Sequence, residues 1–551
     1  MYNKSKSLEF KNFRKFADFP AIEFGDITFL VGKNNSGKST FVKSAMLVFN
    51  YLKGQDLRTI DFTSYGSEAL NIVSYERALH KSNLINQQNE IQIGITIHDY
   101  LFDIRFTSHK EPSKATILDL KCSFWGNTTL YIDPIARTIK LEEGSSTVVA
   151  TFGDAKEDAA IKEIAKLNED LALIQDKLSP EYIEINTAIH KLSATLSIDQ
   201  KNEGWSIEFD YKSDNILEVL TGLTNLIASM PMPNSYLYEF NINNRLEEEN
   251  EEISYSLVAE PSPGEMYHYD SNSDNWIIRL AMEQKNIAAI QSLYKQKNAI
   301  MQFLTGIKKV VTTSEIVYLP ASLNKQSALF LIRDEKNPLA QTIHEYSKLL
   351  IDDESIIHYF IKHWLKEFEI GEDFKIELIQ GEAYTLEILQ DGIWISLADK
   401  GMGAIQATLL ILRLASLIHS QIKEKNGLLY IAPSDGKNYI VVLEEPELNL
   451  HPALQSKLCD LFFEVNLEYQ IEFIIETHSE YMIRKSQLIT AQNNFESPIG
   501  ELDNLPFSTL YFPSEDGAKV YSMEYRKDGK FKNEFGPGFF DESTNLAFEL
   551  L

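Results

Sequence analysis

Residues Gly32-Lys-Asn-Asn-Ser-Gly-Lys-Ser39 space two glycines, a lysine and a hydroxyl as G-x-x-x-x-G-K-S. That pattern suits phosphate. The glycines let the backbone close around oxygens that a Cβ would exclude. Lys38 offers a cation to the β- and γ-phosphates, and Ser39 offers a hydroxyl to Mg2+. Gly32, Asn34, Asn35, Ser36, Gly37 and Thr40 complete the expected cradle for ATP. The setting fits. Ile27 to Val31 reads as a strand, and Lys38 to about Leu52 as a helix whose N-terminal N–H groups face the anion.

Three later segments add to this chemistry. Tyr439-Ile-Val-Val-Leu-Glu-Glu445 places two acids at the end of an apolar strand. Glu444 is expected to orient Mg2+ or its water, and Glu445 to polarise the attacking water as general base. Ile471-Glu-Phe-Ile-Ile-Glu-Thr-His478 is a second such strand, ending in a histidine suited to sensing the γ-phosphate. His478 follows Glu445 by 33 positions, room for a helix and a return strand. In Leu397-Ala-Asp-Lys-Gly-Met-Gly-Ala-Ile-Gln406, Gly401 and Gly403 precede a strong helix. They suit either a further anion contact or a plain helix cap.

The elements that must position these residues fall into three stretches. Residues 1–153 read as a strand-rich lobe carrying the phosphate loop. Leu8 to Phe16, Ala21 to Phe24, Ile91 to Ile97, Phe102 to Phe106 and Leu130 to Leu141 are its further strands. Residues 154–310 read as a mostly helical insertion. Apolar residues from Ile161 to Leu178 and from Ile185 to Leu196 recur at helical spacing around Pro180, which predicts a short hairpin. Ile216 to Met230 and Trp276 to Leu304 predict more helix, and the acidic run at 247–252 a solvated loop. Residues 311–551 return to α/β character, with strands at Ile316 to Leu319, Lys375 to Ile379 and Tyr384 to Leu389 and a helix from Gly403 to Ile418. The fold class is α/β with a mixed sheet.

Composition narrows the class further. At 44% hydrophobic and 24% charged, the 551 residues suit large cores in two or three domains. No apolar run predicts a membrane span, and the N-terminus predicts no signal peptide, so a cytoplasmic protein is expected. Cys122 and Cys459 stand alone, as buried apolar side chains would. A net charge of −28 argues against a nucleic-acid-coated surface.

Together the four segments resemble the ATPase head of ABC and SMC proteins. Gly32 to Ser39 matches Walker A. Leu443-Glu-Glu-Pro-Glu-Leu-Asn-Leu-His-Pro452 matches the Walker B and D-loop of a branch that includes the overcoming-lysogenization-defect nucleases. Thr477-His478-Ser479 matches its switch histidine, and Asp399 to Gln406 stands at the signature position. The resemblance implies a head-to-head homodimer. ATP on one Walker A would be capped by Gly401 and Gly403 of the other chain, with Pro446 to His451 along the interface. Lys400-Gly-Met-Gly departs from the Ser-Gly start of many relatives, and Gln55, Gln87 and Gln88 are the Q-loop candidates.

The 73 residues after His478 show no metal-binding Toprim pattern, and Phe535 to Glu542 resembles the tail of nuclease-free ATPases. Those include the Septu-type ATPase of anti-phage defence, which works with a separate HNH endonuclease, and versions that accompany retron reverse transcriptases and their nucleic acid. The implied function is an ATPase that controls a partner nuclease. The alternative is an SMC-like DNA repair or recombination ATPase acting directly on DNA. A transporter subunit and a non-catalytic ATP-binding scaffold are further readings.

Overall fold

The computed structural model describes residues 6–536 except 55, 64–70, 82–88, 125–127, 137, 144–145, 153–205, 212–214, 230–254, 257–266, 271–274, 279–283, 321–328, 335–336, 426–427, 432–436, 494, 496–504 and 514–518. The expected hairpin from Ile161 to Leu196, the acidic run, Gln55, Gln87, Gln88 and most of the tail motif lie outside the described residues.

The site is built on a parallel sheet. Its order is Ser314–Leu319, Asn438–Glu444, Glu472–Glu476, Ile27–Gly32, Phe507–Phe512, with Tyr521–Ser522 antiparallel at the edge. The strand that leads to His478 therefore lies between the phosphate-loop strand and the strand ending in Glu444. Successive side chains enter opposite cores. Leu30, Ile440, Val442, Ile474, Leu510 and Phe512 join one. Phe29, Val31, Val441, Leu443, Phe473, Ile475 and Tyr511 join the other. A sheet covered on both faces has no polar side, which is why Tyr439–Leu443 and Phe473–Ile475, on its central strands, read as unbroken apolar runs. Each such buried side chain contributes roughly 1.5–3 kcal/mol.

The first core joins this sheet to a ten-stranded sheet. From edge to edge the latter runs Ser206–Tyr211, Ser146–Phe152, Thr138–Glu143, Thr128–Asp133, Lys114–Phe124, Tyr100–Ser108, Glu90–Ile97, Ser7–Phe13 and Phe16–Glu23, with Thr59–Asp61 beside Lys114–Phe124. Neighbours are antiparallel except Ser206–Tyr211, which is parallel to Ser146–Phe152. The sheet thus takes its last strand from within residues 154–310. Helices Lys38–Leu52 and Ile216–Ser229 contribute to this core.

One expected helix is corrected. Trp276 lies on the strand Asn275–Ile278, paired with Tyr267–Asp270, and the helix spans Gln284–Thr313. A short Trp-Ile-Ile run packs well on a pleated surface, and that preference wins over the helical spacing downstream.

Helices Pro338–Lys348, Ile356–Glu367, Met402–Gln421 and Pro452–Tyr469 contribute to the second core. Among the described residues, Met402–Gln421 is long and apolar enough to cross a membrane, with mean hydropathy 1.5. Here Ile411, Leu414 and Ile418 are buried in the core, and the helix packs on Pro338–Lys348 and Ile356–Glu367. Cys122 and Cys459 are free and buried, as expected.

Candidate nucleotide site

The phosphate loop joins Ile27–Gly32 to the helix Lys38–Leu52. Gly37 has φ 113°, and an added Cβ there would lie 2.4 Å from the Phe16 ring. Positive φ and close approach both demand glycine at this position. Asn35, at φ 62°, is a residue type that tolerates the left-handed region. Lys33, Asn34 and Asn35 are exposed, and Thr40 is buried. Lys15 Nζ donates to the Asn35 carbonyl at 2.8 Å. Ser36 is buried, and its Oγ has no partner among the described residues. A buried hydroxyl without a partner calls for one, and a phosphate oxygen in this cradle would supply it.

Lys38 is buried, and its ammonium is fully engaged. Nζ lies 3.0 Å from the Gly32 carbonyl, 3.1 Å from that of Lys33 and 3.2 Å from His478 Nε2. Glu476 Oε1 is 3.7 Å away. Burial pulls the lysine pKa down, opposed by Glu476 and Glu445. An ammonium only donates, so His478 Nε2 accepts and the ring proton belongs on Nδ1. Consistently, burial and then the Lys38 charge lower the His478 pKa and favour neutral imidazole.

Three carboxylates reach this edge. Glu444 and Glu476 are register partners on adjacent strands. The Ser39 hydroxyl lies 2.8 Å from Glu476 Oε2 and 3.1 Å from Oε1. Burial, and then the nearby Glu444 carboxylate, push the Tyr318 hydroxyl pKa up. Burial raises the Glu476 pKa, Ser39 and Lys38 oppose that, and Glu444 and Glu445 reinforce it. Glu445 has φ 43°, a left-handed conformation that costs a non-glycine residue roughly 1–3 kcal/mol. Its N–H donates to the Glu476 carbonyl at 2.7 Å, and its carbonyl accepts from Leu448 N at 3.1 Å. This turn aims the side chain at the site, with Oε1 3.8 Å from His478 Nε2.

Two further side chains of this edge are not marked by the motifs in the sequence. Glu476 stands directly before Thr477-His478 and read as a strand residue. Glu447 was only part of a motif. It is buried, its Oε1 accepts the His478 N–H at 2.7 Å, and burial raises its pKa. A glutamate after a proline turn, level with a histidine strand, is the signal that marks it. His451 caps the helix Pro452–Tyr469, accepting from Ala453 N at 3.3 Å.

The two signature glycines differ. Gly403 packs on its own chain: an added Cβ would lie 2.4 Å from the Asn449 carbonyl oxygen. On the same helix, Gln406 Nε2 donates to the Glu445 carbonyl at 3.4 Å. The helix is therefore tied to the loop that carries Glu445. We expect Gly403→Ala to destabilise the fold by about 1–3 kcal/mol in urea unfolding, since a backbone oxygen must move. Unchanged stability would show that the contact yields freely. Gly401 has φ −62° and ψ 157°, open to any residue, and an added Cβ meets nothing within 4 Å. Lys400 turns inward, onto the Ile370 carbonyl at 3.0 Å and the Gln390 side chain.

The structure thus assembles Lys38, Ser39, Glu445 and His478 from three strand ends, with Glu444 and Glu476 beside them. No curated protein matches the chain. Among solved structures it is similar to the Smc head domain with an extended coiled coil bound to the C-terminal domain of ScpA from Pyrococcus furiosus. That match has 13% identity, covers 99% of each chain and has a TM-score of 0.30. It is also similar to the Smc head domain with a coiled coil and joint from Pyrococcus yayanosii. Identity is 11%, with 94% of this chain and 97% of that one covered, at a TM-score of 0.32. TM-scores this low carry no argument about function. The sequence itself is decisive: residues 4–483 match the AAA ATPase domain model, and the chain belongs to the AAA ATPase domain family.

Proposed function

We propose that this chain is an Mg2+-dependent ATPase that closes as a head-to-head homodimer and controls a separate nuclease, of the HNH type, in bacterial anti-phage defence. The loop N–H groups and Lys38 would hold the phosphates. Ser39 and Glu444 would hold Mg2+, which supplies charge neutralisation across the β- and γ-phosphates. Glu445 would take the proton of the attacking water. Neutral His478 would hold that water, its orientation fixed by the Glu447 bond to its backbone.

Gly401 carries the two-chain part of this reading. Among the described residues nothing requires a glycine there, and it caps a helix N-terminus, where anions are favoured. A partner's nucleotide would supply the requirement. Gly401→Glu is expected to keep the fold and the ATP affinity of a single chain while abolishing the ATP-induced dimer. Sedimentation of both proteins with ATP would decide it, and a variant that still dimerises sinks the trans contact. The nuclease partner rests on the motif layout and tail resemblance. Metal-dependent DNA cleavage by the purified chain alone would overturn it.

A further inference from the structure

The helix Lys38–Leu52 presents Ser39 to the end of strand Glu472–Glu476. Both Glu476 oxygens lie within hydrogen-bonding distance of its hydroxyl, at 2.8 and 3.1 Å. Serine has a single proton, so this geometry pins it on the glutamate side and turns the oxygen lone pairs away. The serine is half-buried, and the glutamate it faces is buried. A glutamate is costly here. Glu444, Glu445 and Glu476 crowd one sheet edge, and the cations felt there are Lys38 and Lys43. Such an excess of negative charge is stabilised by a further cation beside Ser39.

We propose that Glu476 is a metal-positioning residue: by accepting the Ser39 proton it aims that oxygen's lone pairs at the Mg2+ site. The inference rests on the nucleotide-site reading. Outer groups that orient a metal ligand tune affinity strongly, and their loss costs roughly 10–100-fold.

The test is a Mn2+ titration followed by electron paramagnetic resonance. It uses the full-length chain with a non-hydrolysable ATP analogue, and compares wild type, Glu476→Gln, Ser39→Ala and the double variant. Glu476→Gln should weaken Mn2+ binding roughly 10–100-fold while leaving analogue affinity in EDTA unchanged. On the Ser39→Ala background the same change should do much less, because the glutamate acts through the serine. Unchanged Mn2+ affinity overturns the proposal. So does an equal loss of analogue binding in EDTA, which would assign Glu476 to holding Lys38. Wild type that binds no analogue with or without metal would sink the nucleotide-site reading itself. If Glu476→Gln does not fold, Glu476→Asp takes its place: the shortened reach should weaken Mn2+, and wild-type affinity refutes the idea.

Discussion

Replacing Lys38 by alanine should lower ATP affinity by about 3 kcal/mol, a loss of roughly a hundredfold or more. In the structure the ammonium spends its donors on the Gly32 and Lys33 carbonyls and on His478 Nε2. All three acceptors are neutral. Phosphate oxygens are charged and form bonds about twice as strong, so the exchange favours the nucleotide. The ammonium is already buried at the loop, so little new desolvation is required. Alanine removes this cation and leaves Glu476 facing Glu444 and Glu445 without it. Titration with a fluorescent ATP analogue measures the loss, and thermal unfolding checks that the loop still folds. A variant that folds and binds as wild type would remove Lys38 from the phosphate site.

Much of this site was legible because its chemistry is local in sequence. Lys38 and Ser39 follow a glycine loop between a strand and a helix. The predicted helix, Lys38 to Leu52, matches the observed one at both ends. Glu444, Glu445 and His478 end apolar runs, and a doubly covered sheet makes such runs conspicuous. What stayed hidden is set by register. Glu476 has no motif of its own; it matters because strand pairing places it level with Glu444 and the helix start turns Ser39 toward it. Phe507–Phe512 completes the parallel sheet beside Ile27–Gly32 but is short and far from every motif. Helices Pro338–Lys348 and Ile356–Glu367 are likewise outside the sequence expectations. Each starts at an N-cap, Asn337 and Ser355, whose side chain accepts backbone N–H groups of the first turn. The roles of Gly401 and Gly403 were inseparable in sequence. Only the fold shows that one is packed and the other open.

Glu445→Gln should cut ATP hydrolysis roughly 10²–10⁴-fold, the range that general-base catalysis supplies, while ATP affinity stays near wild type. Glutamine matches glutamate in shape. It keeps the left-handed turn, the bond from its N–H to the Glu476 carbonyl at 2.7 Å and the Gln406 contact to its carbonyl at 3.4 Å. The backbone strain at φ 43° is the same for both side chains. What changes is the atom facing His478: an oxygen that takes a proton becomes an amide that does not. Binding and turnover thereby separate. If ATP closes two heads and hydrolysis reopens them, the variant should accumulate as an ATP-bound dimer under conditions where wild type cycles back to single chains. Phosphate release and sedimentation on the same samples test both halves. Wild-type turnover in Glu445→Gln would move the base elsewhere, with Glu444 the next carboxylate in line. Lost turnover without dimer accumulation would keep the base assignment and remove the link between hydrolysis and head opening.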